Sequence, residues 1–285
     1  MSKKRLQEKQ EVTKKVEDRK SEYIQEQDNK VAQEAVEAIN LIIDVVEHLG
    51  KKEKEKALEA IKKALGELEV LIARDPSLQL VPVDVKEQII DFPGTIDDVA
   101  EAKKVVKELI DAGELQKARD IMQALASELD IIITALPIGT YPVALKAIIP
   151  AIEEEKYEEA TKLLVEVLET LVLEKVVIPL PILRAEQTIE RASELTKEKE
   201  DANKEELKEL LAYAKEQLLL AQALGYGRVE EDYKPLLEEI EKIEKILGSE
   251  ESTKNIFEEL KAKLGAFMKE FNKKKESTKM PQANS

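Results

Sequence analysis

The chain has 285 residues, 43% hydrophobic but only 4% aromatic, with no Trp, no Cys and a formal net charge of −15. Such a length can bury a full core. The aromatic shortage makes that core aliphatic, and the missing cysteines exclude disulfides, thiol catalysis, iron–sulfur clusters and Cys-based zinc sites. The negative charge argues against a nucleic-acid-binding body, and 37% charged residues with only 9 Gly favour long solvated helices.

Residues 1–29 read as a charged helical or flexible arm, frayed or free-standing, with scattered Leu6, Val12, Val16 and Ile24. Residues 1–20 carry eight Lys/Arg against four Asp/Glu. The start, Met1-Ser2-Lys3-Lys4-Arg5-Leu6, is basic without an apolar stretch behind it. It therefore reads as no signal peptide, which implies a cytoplasmic chain. From Val31 the helical period is firm through Ala35, Ile39, Ile42, Val46 and Leu49. Gly50 reads as its left-handed stop. The next helix runs from Glu53 to Ala73 and ends at Asp75-Pro76. An apolar strip with proline follows, Leu78-Gln79-Leu80-Val81-Pro82-Val83-Asp84-Val85.

Thr95 and Asp98 form a capping-box pattern. They open a helix to Ala112, which turns at Asp111-Ala112-Gly113 and returns through Leu115, Ala118, Met122, Leu125 and Leu129. A second strip follows, Ala135-Leu136-Pro137-Ile138-Gly139-Thr140-Tyr141-Pro142. The third helix pair runs from Pro142 to Ile152 and from Tyr157 to Leu171, and closes in Val176-Val177-Ile178-Pro179-Leu180-Pro181. Ala57, Ala118 and Ala160 each stand one turn after a hairpin, where a small residue lets two helices approach. Two further hairpins lack strips: Ile182–Lys199 with Asn203–Leu224, and Pro235–Leu247 with Ser252–Asn272. Disorder is expected after Lys273.

The fold class read from this pattern is mainly α: an array of antiparallel helix hairpins joined by proline-containing extended strips, with at most a minor patch of two or three short strands. The longest uncharged run, Ile131 to Leu145, falls short of the about 18 residues of a membrane span. No transmembrane segment is expected.

No catalytic constellation accompanies the strips. The single histidine, His48, sits at a helix end, where a cation is favoured. Two Glu-x-x-His pairs, a calcium loop and a glycine-rich phosphate loop are all missing. No cofactor, no metal and no catalytic residue is therefore expected. Gly225-Tyr226-Gly227-Arg228 is explained as a helix cap and turn. Asp84, Asp91, Tyr141 and Arg184 lie in or beside the strips, with Glu186 close to Arg184. If the strips converge, these five are the candidate binding residues. Arg184 reads first as a partly buried salt bridge that pins its strip to the bundle, and second as an anchor for an anionic ligand.

The strips also carry a resemblance. Leu71-Ile72-Ala73-Arg74-Asp75-Pro76-Ser77-Leu78, Val81-Pro82-Val83-Asp84-Val85, the run Glu174 to Glu186 and Leu220 to Gly227 resemble the YfdX family of bacterial proteins. The resemblance covers residues 30–248 and leaves residues 249–285 as a C-terminal helix and disordered tail. It implies a mainly helical bacterial protein, a homo-oligomer, a link to stress and especially acid stress, and no established enzymatic activity. Many members carry an export signal, which implies a periplasmic site for them. The expected function is non-enzymatic stress protection through protein or small-molecule binding and pH-sensitive assembly. The alternative is a module that holds an apolar or anionic small molecule against the proline strips. Nucleic acid is not an expected partner.

Overall fold

The computed structural model describes residues 3–198, 204–227, 231–247 and 254–277. Among them, the chain begins with α1 (Lys3–Asp28). It then repeats one unit three times: helix, helix, strand. The first copy is α2 (Gln33–Gly50), α3 (Lys54–Arg74) and β1 (Leu80–Ile90). The second is α4 (Ile96–Asp111), α5 (Leu115–Ala124) and β2 (Glu128–Pro137). The third is α6 (Tyr141–Glu153), α7 (Tyr157–Leu168) and β3 (Val172–Pro179). Four helices follow: α8 (Leu180–Glu198), α9 (Lys204–Leu224), α10 (Lys234–Ile246) and α11 (Lys254–Ser277). The fold is mainly α, 72% helical, with one three-stranded antiparallel sheet in the order β1-β2-β3.

The repeat extends to single hydrogen bonds. At the three hairpin turns the positive φ falls on Lys52 (59°), Gly113 (76°) and Glu155 (61°). The next residue in each donates its N–H five residues back: Glu53 to His48 O at 2.9 Å, Glu114 to Leu109 O at 2.8 Å, Lys156 to Ala151 O at 2.9 Å. The positive-φ residue itself bonds three back, to Leu49, Ile110 and Ile152, each at 3.0 Å. This is the Schellman stop. It corrects the placing of the left-handed position at Gly50, which lies inside α2. Five residues past each positive φ, Ala57, Ala118 and Ala160 are buried, as close helix approach requires.

The three strands, 11, 10 and 8 residues long, form the small strand patch expected from the strips. One residue in it departs from the sequence reading. Leu129, read as helical, belongs to β2, because α5 stops at Ala124. The run Ile131-Ile132-Ile133-Thr134 is β-branched throughout and packs better on a pleated surface than on a helix. The prolines sit where they cost no ladder bond. Pro82 is on edge strand β1, and its carbonyl accepts from Ala32 N at 3.1 Å; Pro137 and Pro179 end β2 and β3.

By its contacts the chain forms two compact units. It passes from one to the other within α1 and within each strand. Unit 2 comprises residues 22–87 and 131–176. In it α2 packs on α3 and α7, and α3 and α7 each pack on α6. Ile42, Leu49, Ile61, Leu68, Leu145, Ile152 and Leu164 fill the aliphatic centre.

Unit 1 comprises residues 1–21, 88–130 and 177–285. In it α8 packs on α9 and α11, α10 on α9 and α11, and α4 on α5 and α9. Val12 and Val16 of α1 are buried, so this stretch is not free-standing. The expected disordered tail lies, from residue 278 onward, outside the described residues. Among the described residues, no helix is long and apolar enough to cross a membrane.

Candidate functional site

The polar chemistry of unit 1 starts at the turn after β1. Thr95 caps α4 in a reciprocal capping box with Asp98. Gly94 makes room for Phe92, whose ring would stand 2.7 Å from a Cβ at that position. This tight turn presents Asp91. One Asp91 oxygen accepts from Ser127 Oγ at 2.7 Å, and the other from Arg184 Nη2 at 2.5 Å. Burial alone would raise the Asp91 pKa. The bonds from Arg184 and Ser127 outweigh it and hold the carboxyl below its usual range.

Ser127 is itself buried and extends the network. Its backbone N–H donates to Tyr226 Oη at 2.8 Å, and the Tyr226 hydroxyl donates to Glu128 at 3.0 Å. Tyr233 donates to the Tyr226 carbonyl. Burial, then the neighbouring acidic groups, push the Tyr226 hydroxyl up, so it stays a donor. Phe267 lies 5.3 Å from Tyr233 and Phe271 lies 5.9 Å from Tyr226, centroid to centroid. Gly227, at φ 86°, leaves space for Phe267. A chain poor in aromatic residues thus spends four of them on one cluster.

A second polar lock lies along α8. Arg191, 9% exposed, binds both Glu8 oxygens, at 2.7 and 3.2 Å, and Glu11 at 2.8 Å. Glu194, 3.5 Å from Arg191, also accepts from Lys15 at 2.8 Å. Burial raises the Glu194 pKa, and these two cations more than reverse the shift. Glu186 has the opposite tuning. Burial raises its pKa, Arg19 opposes the shift and Glu190 adds to it. Its Oε2 is buried without a hydrogen-bond partner among the described residues.

Between α1 and α9 of unit 1 lies a cavity of about 400 Å³. Val12, Leu210 and Tyr213 supply its apolar side, and Glu206, Glu209 and Glu216 its acidic side. Tyr213 also feels Arg184 and Asp91. Burial raises its pKa and Arg184 lowers it. None of the strip residues lines this cavity.

The sequence-selected residues therefore have different surroundings. Asp91 and Arg184 form one ion pair, and Arg184 takes Asp91 rather than Glu186 as partner. Asp84 belongs to unit 2 and pairs with Lys86 on its own strand at 3.2 Å. Tyr141, also in unit 2, is fully buried and donates to Val167 O at 2.8 Å. His48 Nδ1 lies 2.8 Å from Glu53 across the first hairpin turn. Ser127, Arg191 and Tyr213 were not singled out from sequence, and Tyr226 was read only as part of a helix cap and turn. For Arg191 the available signal was its place on one face of α8 with Arg184 and Thr188, seven and three residues before it. Among the described residues, no group of three or more His, Asp or Glu is placed to hold a metal ion.

Residues 38–177 match the family described as YfdX protein, a span that takes in nearly all of the three helix–helix–strand copies. No curated protein matches. Among solved structures, one of Salmonella Typhi YfdX is similar at 13% identity, over 53% of this chain and 93% of that one, with a TM-score of 0.38.

Proposed function

Because residues 38–177 match the YfdX family, we propose that the chain is a non-enzymatic stress-protection protein that acts by binding and by pH-sensitive homo-oligomeric assembly. The observation that carries this reading is the opposite tuning of carboxylates inside unit 1. Glu186 is raised by burial, whereas Asp91 and Glu194 are held low by their cations. As pH falls, Glu186 takes its proton before the two locks lose their charge. The exposed carboxylates protonate over about pH 6 to 4, and the net charge of −15 shrinks with them. Mutual repulsion between copies weakens while the fold keeps its ion pairs.

The polar groups of unit 1 also favour a non-enzymatic reading. Asp91 has both oxygens engaged, and Arg191 is surrounded by three carboxylates. Groups held in this way brace helices and have no free valence for a substrate. The test is absolute mass by light scattering behind a sizing column, on the full chain, at about pH 7.5 and about pH 5, values on either side of the exposed carboxylate range. A larger mass at the lower pH is expected. An unchanged mass sinks the assembly reading.

A second reading is favoured by the α1–α9 cavity. Its volume lies near the low end of the range for small-molecule sites, about 300 to 1,000 Å³. Its acidic lining suits a cationic or apolar occupant better than an anionic one. Native mass spectrometry of the purified chain distinguishes the two, since a carrier retains a bound molecule under gentle ionisation.

A further inference from the structure

The three hairpins share one turn and one buried alanine, so their positions can be compared directly. In unit 2 the hairpins α2–α3 and α6–α7 pack on each other, the first helix of each against the second helix of the other. A twofold axis generates this pairing between identical pieces. Leu49 and Ile61 from one hairpin, and Ile152 and Leu164 from the other, are at most 1% exposed in that core. The equivalent positions of α4–α5, counted from the buried alanine, are Ile110 and Met122. They are 47% and 55% exposed. With Leu115, itself 60% exposed, and Arg119 they line a shallow depression of about 330 Å³.

We propose that the α4–α5 hairpin docks on the α4–α5 hairpin of a second copy of this chain, about a twofold axis, and so rebuilds between chains the four-helix packing that unit 2 makes within one. The proposal rests on the homo-oligomer reading above and names the face it uses. Charge favours it. In unit 2, Lys54 at the start of α3 reaches Glu153 at the end of α6, 3.3 Å to the carboxylate and 2.7 Å to the backbone carbonyl. The equivalent pairing sets the start of α5, with Arg119 one turn along, against Asp111 at the end of α4 in the second copy. Neither Arg119 nor Asp111 has an ion-pair partner among the described residues. Size fits as well. A 16-residue helix is about 24 Å long, and two axes lie 8–10 Å apart, so the face outlines about 500 Å². That is near the low end of what a specific complex buries per partner, so the dimer is expected to be concentration-dependent.

The test is sedimentation equilibrium of the full chain from about 1 to about 100 µM, a range that brackets a dissociation free energy of about 5.5 to 8 kcal/mol. The comparison is the wild type, the double variant Ile110→Lys/Met122→Lys, the single variant Leu115→Lys, and Val143→Lys as a control at an exposed apolar site of α6. The altered residues are all exposed, and an unchanged helical circular dichroism spectrum checks that each variant folds. The wild type and the control should move from monomer to dimer across the range. The double variant should need at least about tenfold more protein to do so, and Leu115→Lys should shift the same way. If the double variant dimerises like the wild type, this face is wrong while the oligomer reading stands. A wild type that stays monomeric at every concentration and at either pH overturns both.

Discussion

Unit 2 closes on aliphatic side chains, with Tyr141 as its one fully buried polar-tipped group and that hydroxyl spent on Val167. Unit 1 instead buries Ser127, Glu128, Asp130, Thr188 and Arg191 among its helices. The difference shows two ways of fixing helices. An aliphatic centre is tolerant in register but costly to hollow out. A paired polar centre adds little net stability, yet it penalises every arrangement that leaves a charge unmatched. The same hairpin meets both environments: in unit 2 a second hairpin covers it, and in unit 1 its Ile110, Leu115 and Met122 stay open.

The largest effect should come from breaking the polar side of this comparison. Arg191→Ala leaves Glu8 buried without its main cation and should cost about 3–5 kcal/mol in urea unfolding. A cost below about 1 kcal/mol would mean that water reaches Glu8 freely. Next, Ile61→Ala should cost about 2–5 kcal/mol by opening the aliphatic centre. The equivalent Met122→Ala, measured on dilute protein, should stay within about 0.5 kcal/mol. Equal costs would remove the distinction between the covered and open hairpins.

The smallest effect, and the one with the most telling sign, is the pH dependence of Glu186. Its folded pKa is raised above the unfolded value. Its contribution to stability is therefore complete below the unfolded carboxylate pKa, about 4.3, and is lost as pH rises through the folded value. Asp91 and Glu194 have depressed folded pKa values. Their contribution is present above the unfolded pKa and is lost as pH falls through the folded one. Stability should rise from neutral into mild acid and fall again in stronger acid. Glu186→Gln should stabilise the chain at neutral pH and flatten the first limb only. A melting temperature with the same pH slope in both proteins would remove Glu186 from the account.

Much of this organisation was legible in the sequence because it is local. The hairpins follow from helical period, the start of α4 from Thr95 and Asp98, and the repeat from Ala57, Ala118 and Ala160. Two kinds of information were hidden. One was competition between local signals: Leu125 and Leu129 fit a helix face, yet the β-branched run beginning two residues later draws Leu129 into β2. At the turns, Lys52 and Glu155 adopt the left-handed conformation that a glycine takes in the middle copy. The other was long range. Arg184 finds Asp91 across 93 residues and Arg191 finds Glu8 across 183. Periodicity marks α8 as a helix, but it cannot say which carboxylate will meet an arginine there.

That separation of 183 residues also sets an order of events on the ribosome. At about 5–20 residues per second, Glu8 is synthesised roughly 9 to 37 seconds before Arg191. The three helix–helix–strand copies bring most of their contacts within one copy or the next, and they can form during this interval. Throughout it the nascent chain must carry a segment whose Glu8 and Glu11 have no Arg191 to meet them. Its dense positive and negative charge keeps that segment in water until the last third of the polypeptide arrives to claim it.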